Sequence, residues 1–435
     1  MGTTLLPLGR ISIGWGVALA CCVCIVGIVV VVVYRSPLPT VPRLDPKAFS
    51  PDSINRGAVA AIIGDCAICH TAEAGADYAG GRPLPTPFGT IFSTNITPDE
   101  ATGIGNWSKT AFGRAMREGV SRNGHLLYPA MPYDHYAHVS DQDIDDLYAF
   151  LMTRRPVGAS APPNDLIFPL GFRPLLAGWQ LLFLYGGRFS PTPAAGDPWN
   201  RGAYLAEGLA HCGGCHTPRD LAGGEESGRP YAGGVAEGWN APALDSSNPV
   251  AETWRVSALY NYLKTGMDPA HSVAAGPMGP VTAELSRAPD GDVRAIAVYV
   301  ASLMHGGREV PRQFLAQDRE RAAAQEHAVG ANLFQGACAG CHEVGAPMLT
   351  QDRPGLPLIT AIQESDPRNT ILAILHGLQS PTGPSGPYMP AFADNLTDRE
   401  IAEVVSYLRA RYSDRPAWVA LESAVSGARK ASASP

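Results

Sequence analysis

Positive charge is not in surplus in this chain: 33 Lys and Arg stand against 40 Asp and Glu, a net charge of −7. A nucleic-acid footprint needs clustered cations and a basic balance, so that class of partner drops out. Several catalytic signatures are also missing. There is no Ser/His/Asp set, no phosphate loop, no flavin fingerprint and no second metal motif. Nothing in the chain is equipped to oxidise an organic substrate by itself. Long regular elements are scarce too, because 47 Gly and 39 Pro make about a fifth of the 435 residues and both interrupt helices and strands. The composition is otherwise that of a globular chain, 45% hydrophobic and 17% charged, long enough for about three domains. Something besides long regular elements must build their cores.

Nine cysteines are what the chain does have, and they fall in two groups. Cys21, Cys22 and Cys24 lie in an apolar run and read as small apolar residues. The other six form three pairs, each closed by a histidine: Cys66-Ala67-Ile68-Cys69-His70, Cys212-Gly213-Gly214-Cys215-His216 and Cys338-Ala339-Gly340-Cys341-His342. Cys-x-x-Cys-His is the attachment signature of a c-type haem, in which both thiols bond the porphyrin and the histidine ligates iron. A structural zinc would need two further soft ligands beside each pair, and the sequence offers none. The reading is three covalently attached haem c groups. Each is a large apolar insert that lets a small Gly/Pro-rich unit build a core.

The chain repeats itself around these motifs. Asn55-Arg56-Gly57-Ala58 precedes the first, Asn200-Arg201-Gly202-Ala203 the second, and a shorter echo, Gly330-Ala331, the third. Each predicts a helix leading into its motif. After each motif comes a Gly/Pro-rich region, then a methionine among prolines: Tyr128-Pro129-Ala130-Met131-Pro132, Gly276-Pro277-Met278-Gly279-Pro280 and Pro387-Tyr388-Met389-Pro390. A closing helix then begins after Ser140, near Asp290, and after Thr397, where Thr397 and Glu400 make a capping box. Each closing helix carries an apolar residue and, six positions on, an aromatic one: Ile144 with Phe150, Val293 with Tyr299, Ile401 with Tyr407.

A c-type iron held by histidine takes a second axial ligand from the opposite side, and a thioether raises its potential relative to a second imidazole. Met131 lies 61 residues after His70, Met278 62 after His216, and Met389 47 after His342. The prolines stiffen these loops. Competing ligands are His125, His135 and His138 in the first unit, Met267 and His271 in the second, and His376 in the third, whereas Met348 is too close to His342 to reach the far side. Tyr128, Trp107, Trp239 and Trp254 are candidates to pack on haem propionates.

From Ile11 to Val33 there are 23 uncharged residues, which as a helix would span about 35 Å at about 1.5 Å per residue. A cleaved secretory signal is the rival reading, but its apolar region is usually only about 7 to 15 residues. The expectation is a cytoplasmic tail over 1–10 and a transmembrane anchor over 11–34. Flanking charge does not orient it, with Arg10 on one side and Arg35, Arg43 and Lys47 on the other. Covalent haem attachment outside the bacterial cytoplasmic membrane does, placing the haem domains in the periplasm and the protein in the inner membrane as a single-pass chain. The expected fold is all-α: the membrane helix, then cytochrome c-like domains at 50–155, 196–305 and 326–412, with linkers at 156–195 and 306–325 and a surface tail at 413–435. In the first linker, the apolar stretch Leu175 to Leu184 either bridges the first two units or docks on a partner or the membrane.

Longer local runs carry a resemblance: Thr94-Asn95-Ile96-Thr97-Pro98, Thr102-Gly103-Ile104-Gly105-Asn106-Trp107-Ser108, Leu127 to Tyr133, and Arg173-Pro174-Leu175-Leu176-Ala177-Gly178-Trp179. Over about residues 50 to 412 the chain resembles the triple-haem cytochrome c subunits of membrane-bound bacterial dehydrogenases, which accompany alcohol, aldehyde, gluconate and other sugar dehydrogenases. The resemblance implies a chain that takes electrons from a periplasmic, aldehyde- or alcohol-oxidising partner and passes them to ubiquinone. It implies axial pairs His70 with Met131, His216 with Met278, and His342 with Met389. The implied partner is a large dehydrogenase subunit of molybdenum, PQQ or flavin type, with room for a small subunit. Members serving quinoprotein alcohol dehydrogenases typically have a cleavable signal, so the retained apolar segment favours an aldehyde-oxidising or flavin partner. The alternatives are a cytochrome subunit of a flavin-dependent sugar dehydrogenase and a haem c peroxidase with an open coordination position, which three candidate methionines argue against.

Overall fold

Hydroxyl caps and prolines set several of the helix starts in this chain. Ser50 Oγ accepts from Ser53 N–H at 3.2 Å, and Pro51 follows at the first helical position, where its fixed φ suits the helix and its missing N–H is no loss. That helix, α1 (Pro51–Ile63), leads through a left-handed Asp65 into the single turn α2 (Cys66–His70). The computed structural model describes residues 34–307, 319–343, 346, 355–379 and 389–433. The first unit continues with α3 (Lys109–Glu118), α4 (Tyr133–Tyr136) and α5 (Asp141–Met152), and the connecting stretch holds α6 (Leu176–Phe183). The second unit has α7 (Asp197–Tyr204), prolonged by a π-turn at Leu205–Leu209, then α8 (Gly213–His216), α9 (Val256–Thr265), α10 (Met278–Leu285) and α11 (Asp290–Leu303). The third has α12 (Glu320–Glu326), α13 (Ala328–Ala337), α14 (Ala339–His342), α15 (Thr360–Gln363), α16 (Arg368–His376), α17 (Asp398–Tyr412) and α18 (Leu421–Ala433).

One packing recurs in all three units. The helix before the motif crosses the closing helix at a glycine, so close that any side chain there would strike backbone. A Cβ on Gly57 would lie 1.9 Å from Asp146 O and 2.8 Å from Phe150 Cβ; on Gly202, 2.0 Å from Ala295 O and 2.8 Å from Tyr299 Cβ; on Gly330, 2.1 Å from Glu403 O and 2.9 Å from Tyr407 Cβ. The repeated glycine and the repeated aromatic residue are thus two halves of one contact. In the first two units the preceding arginine clasps the closing helix: Arg56 Nε lies 2.7 Å from Asp146 Oδ2, and Arg201 Nε 2.8 Å from Asp292 Oδ1. The capping box of α17 forms, with Thr397 and Glu400 satisfying each other's backbone N–H.

Small antiparallel sheets accompany the helices of the first two units, which corrects the all-α expectation. Strands β1 (Pro83–Thr86), β2 (Gly89–Phe92) and β3 (Asp165–Leu166) pair in that order, with Leu84 opposite Ile91 and Gly89 opposite Leu166. β4 (Gly234–Ala236) pairs with β5 (Trp239–Ala241), and β6 (Met267–Asp268) with β7 (Ser272–Val273). Strands of two to four residues, one of them with two prolines, show no readable alternation in sequence.

The membrane expectation is corrected as well. Among the described residues no helix is long and apolar enough to cross a membrane. The longest, α17, has 15 residues, about 22 Å against about 30 Å of hydrocarbon, and it opens with Asp398-Arg399-Glu400. Apart from Tyr34, the span expected at 11–34 lies outside the described residues. The single-pass placement in the bacterial inner membrane rested on that span and falls with it.

Buried side chains from Ala60 to Met152 and from Ala203 to Met304 form one continuous core across the first two units. A second core runs from Ala323 to Val425. The connecting α6 touches both of the first two units, through Gln180 Nε2 to Glu118 O at 2.9 Å and Trp179 Nε1 to Ala222 O at 3.2 Å, while Leu181 and Leu182 on the same helix face outward.

Candidate functional site

Each Cys-x-x-Cys-His run folds as a helical turn. In the second and third, the histidine N–H bonds the carbonyl of the first cysteine, His216 to Cys212 O and His342 to Cys338 O, each at 3.0 Å. A helical turn places residues four apart on one face, so the first thiol and the imidazole project together. None of the six cysteines is in a disulfide. Burial pushes Cys66 and Cys212 up to about 12, and Cys69 and Cys338 up to about 11. A catalytic dithiol needs the opposite, a stabilised thiolate. These are thiols kept neutral in apolar surroundings, as attachment points for a large apolar group.

Two of the imidazoles are fixed in the tautomer that an iron requires. His70 Nδ1–H donates to Thr94 O at 2.6 Å, and His216 Nδ1–H to Pro242 O at 2.6 Å, leaving Nε2 of each as the bare donor atom. The acceptors follow β2 and β5, so the hairpins position the ligands. Burial holds both imidazoles below their ordinary value, which favours the neutral, metal-binding form. The residues therefore fit haem c: two thiols and an oriented imidazole on one turn, backed by apolar side chains.

Met131 is half-buried against the first core, in a turn where its N–H bonds Tyr128 O at 3.1 Å. Met278 opens α10, and Met389 is half-buried against the second core, its N–H and C=O paired with Leu378. Two of the competing ligands are spent elsewhere. His271 is buried, stacked on Trp254 at 4.2 Å, with Nδ1 on Asp268 at 2.7 Å and Nε2 on Thr253 at 3.0 Å. His135 engages Glu207 O and Glu225 through its two nitrogens. Of the aromatic candidates, Trp239 packs against Gly276 in the Met278 loop, Trp254 is committed to His271, and Tyr128 OH donates to Leu170 O at 3.1 Å. Trp107 packs on the first core, its carbonyl accepting from Tyr148 OH at 2.7 Å.

The first two motifs face each other across a seam. The carboxyl of Asp65, just before the first motif, acts on Cys66, Cys69, Cys212 and Cys215 alike. Asp65 is buried and, by burial first and the charge of Glu284 second, pushed up to about 8. Two arginines hold the motif carbonyls: Arg82 donates to Ile68 O at 2.8 Å, and Arg219 to Gly214 O at 2.7 Å. Sequence reasoning missed both, since lone arginines at different offsets from their motifs carry no pattern.

Comparisons with known proteins agree with this geometry. The family described as Cytochrome c matches residues 54–155, and that described as Cytochrome C oxidase, cbb3-type, subunit III matches residues 325–408. A nicotinate dehydrogenase subunit of Pseudomonas putida is 45% identical over 379 residues, covering 86% of this chain but only 32% of that protein, so the chain spans about a third of that relative. The fructose dehydrogenase cytochrome subunit of Gluconobacter japonicus is 35% identical over 414 residues, 88% of this chain and 84% of the relative. The gluconate 2-dehydrogenase cytochrome c subunit of Pantoea cypripedii is 37% identical over 381 residues, 83% and 86% of the two. Likeness along most of both lengths, with the attachment turns folded as haem requires, places the chain: it belongs to the cytochrome c subunits of bacterial dehydrogenases, carriers of covalent haem c that transfer electrons.

Proposed function

We propose that this chain holds three haem c groups and conducts electrons from the catalytic subunit of a dehydrogenase to ubiquinone. The observation that carries the reading is the triple recurrence of one helical turn presenting two thiols and an imidazole, on a helix crossing repeated each time. When bound, haem c supplies a one-electron couple at its porphyrin edge. The chain does the rest. Cys66 with Cys69, Cys212 with Cys215, and Cys338 with Cys341 would hold the porphyrins, and His70 with Met131, His216 with Met278, and His342 with Met389 would be the iron ligands. With a histidine and a methionine on each iron, no position would be left for substrate, so carbon oxidation would fall to the partner. The names of the relatives support a partner that oxidises nicotinate, fructose or gluconate. An aldehyde or alcohol dehydrogenase of molybdenum, PQQ or flavin type makes the same demand on this chain.

Stopped-flow haem reduction decides it. With substrate and the co-purifying large subunit, all three haems should reduce, and a ubiquinone analogue should reoxidise them. Reduction by substrate without the partner overturns the carrier reading, and peroxide turnover at one haem replaces it with a peroxidase.

A further inference from the structure

The loop that carries Met131 does not end inside its own unit. Four residues on, α4 sets His135 against the second unit, and both ring nitrogens bond to it: Nδ1 donates to Glu207 O and Nε2 to Glu225 Oε1, each at 2.8 Å. A backbone carbonyl and a carboxylate have no proton to give, so the ring supplies both and is a cation. Its Cε1 edge rests on the haem-attachment motif itself. A Cβ on Gly213 would fall 2.9 Å from that atom and 3.3 Å from Glu225 Oε2. The same position is Ala67 in the first motif and Ala339 in the third. Attachment therefore tolerates a methyl group, and the second motif lacks one where the ring of His135 arrives.

The charges around the ring are paired. Asp134 and Glu225 are the carboxylates, and Arg219, 3.7 Å from Glu225 Oε1, is the second cation. His211, with its centroid 6.5 Å away, is neutral, because burial pushes it down to about 4. Glu207 offers its carbonyl here and turns its carboxylate to Tyr299. Asp134, His135 and Glu225 bring donor atoms within 4.8 Å of one another, but two anions against two cations make an ion-pair network rather than a cation site. Burial by itself would discharge His135; the hydrogen bond and charge of Glu225, with Asp134, outweigh it and hold the ring's pKa at about 9.

We propose that His135 is a positioning and charge-compensating residue of the second haem site, lent by the first unit: it holds Glu225 beside Gly213 and keeps the second haem easier to reduce. A bare carboxylate next to a centre that gains an electron opposes reduction, and the imidazolium cancels that opposition. The inference rests on the electron-carrier reading and is tested apart from it, by equilibrium redox titration of the purified full chain followed by haem absorption.

His135→Gln should lower one of the three midpoint potentials and leave two unchanged; a tenfold loss in the reduction equilibrium is 59 mV for a one-electron couple. Adding Glu225→Gln to that variant should restore it. Gly213→Ala, which keeps His135 but displaces its ring, should shift the same potential in the same direction. In the unaltered chain that potential should fall as pH rises through about 9, where the ring loses its proton, and in His135→Gln it should not. Unchanged potentials in both single variants at full haem content overturn the proposal and leave the carrier reading standing. If His135→Gln loses haem, Gly213→Ala and the pH profile of the unaltered chain decide instead, and a potential flat from pH 8 to 10 overturns it. Haems that take no electrons from the partner overturn the carrier reading itself.

Discussion

The first two units and the third follow one local plan and are built into the molecule in two ways. The first two share a core, and across their seam α4 meets the turn at Leu205–Leu209 while α10 meets α1. The third has its own core, and among the described residues hydrogen bonds tie it to the second: Asn369 exchanges hydrogen bonds of 2.9 and 2.8 Å with Asn240, and Gly355 N–H reaches Pro269 O at 3.1 Å. The glycine crossing therefore builds a unit but does not choose its neighbours. Residues outside the plan make that choice, such as His135, Glu225 and Gly213 at the seam. A shared core opens as one cooperative body, whereas a core joined by polar contacts can open alone.

The most damaging way to break the comparison is at the crossing itself. Leucine at Gly202 or Gly330 would drive a side chain into backbone carbonyls that a Cβ already meets at 2.0 and 2.1 Å. The expected cost is at or above the ~3 kcal/mol reached by core overpacking. Gly202→Leu should strip both the first and second haems, and Gly330→Leu only the third. Haem content and calorimetric transitions check this. Loss of a single haem in Gly202→Leu would show that the shared core is not a cooperative body.

A second strike falls on the third unit alone. Val425 on α18 is fully buried against α17, and Arg429 on the same helix pairs with Asp398 at 2.7 Å. Val425→Asp buries an unpaired charge, a change on the order of 4 kcal/mol. Its transition should drop while that of the first two units stays in place.

This helix also marks where the sequence stops being legible. The run at 413–435 reads as a surface tail, because its Ala/Ser-rich composition offers little apolar signal; the structure lays Leu421 and Val425 into the core. What could be read was what chemistry or repetition marks: the attachment motifs, the closing helices, the capping box at Thr397, and the glycine and aromatic positions that meet at the crossing. The hairpins could not, since strands of two to four residues leave no period. Nor could the seam, whose residues are single side chains meeting across 72 to 90 positions of sequence.

At the methionines the comparison sharpens without breaking. Replacing Met131, Met278 or Met389 by leucine should each remove about one third of the sulfur-to-iron absorption band and lower one potential, since the thioether is the ligand that raises it. The fold should survive, because leucine for methionine conserves volume. A band left intact by any one replacement moves the assignment in that unit, to His125, Met267 or His376.

The smallest expected difference lies in acid. Arg56 and Arg201 clasp the closing helices of the first two units, while the third has Val329 at the matching position. Asp146 is buried, and burial alone would raise its carboxyl; hydrogen bonds from Arg56 and Ser53 outweigh that and hold it below its ordinary 3.8. A carboxyl lowered on folding contributes stability above its ordinary value and loses it as pH falls through the folded one. Between pH 7 and pH 5 the clasp should therefore cost nothing, and below about pH 4 the transition of the joined units should fall faster than that of the third. Arg56→Ala should narrow this gap, and salt should narrow it too, because the arginine is half exposed. Parallel acid sensitivity of the two transitions, unaltered by Arg56→Ala, would show that the clasp adds nothing the glycine crossing does not already provide.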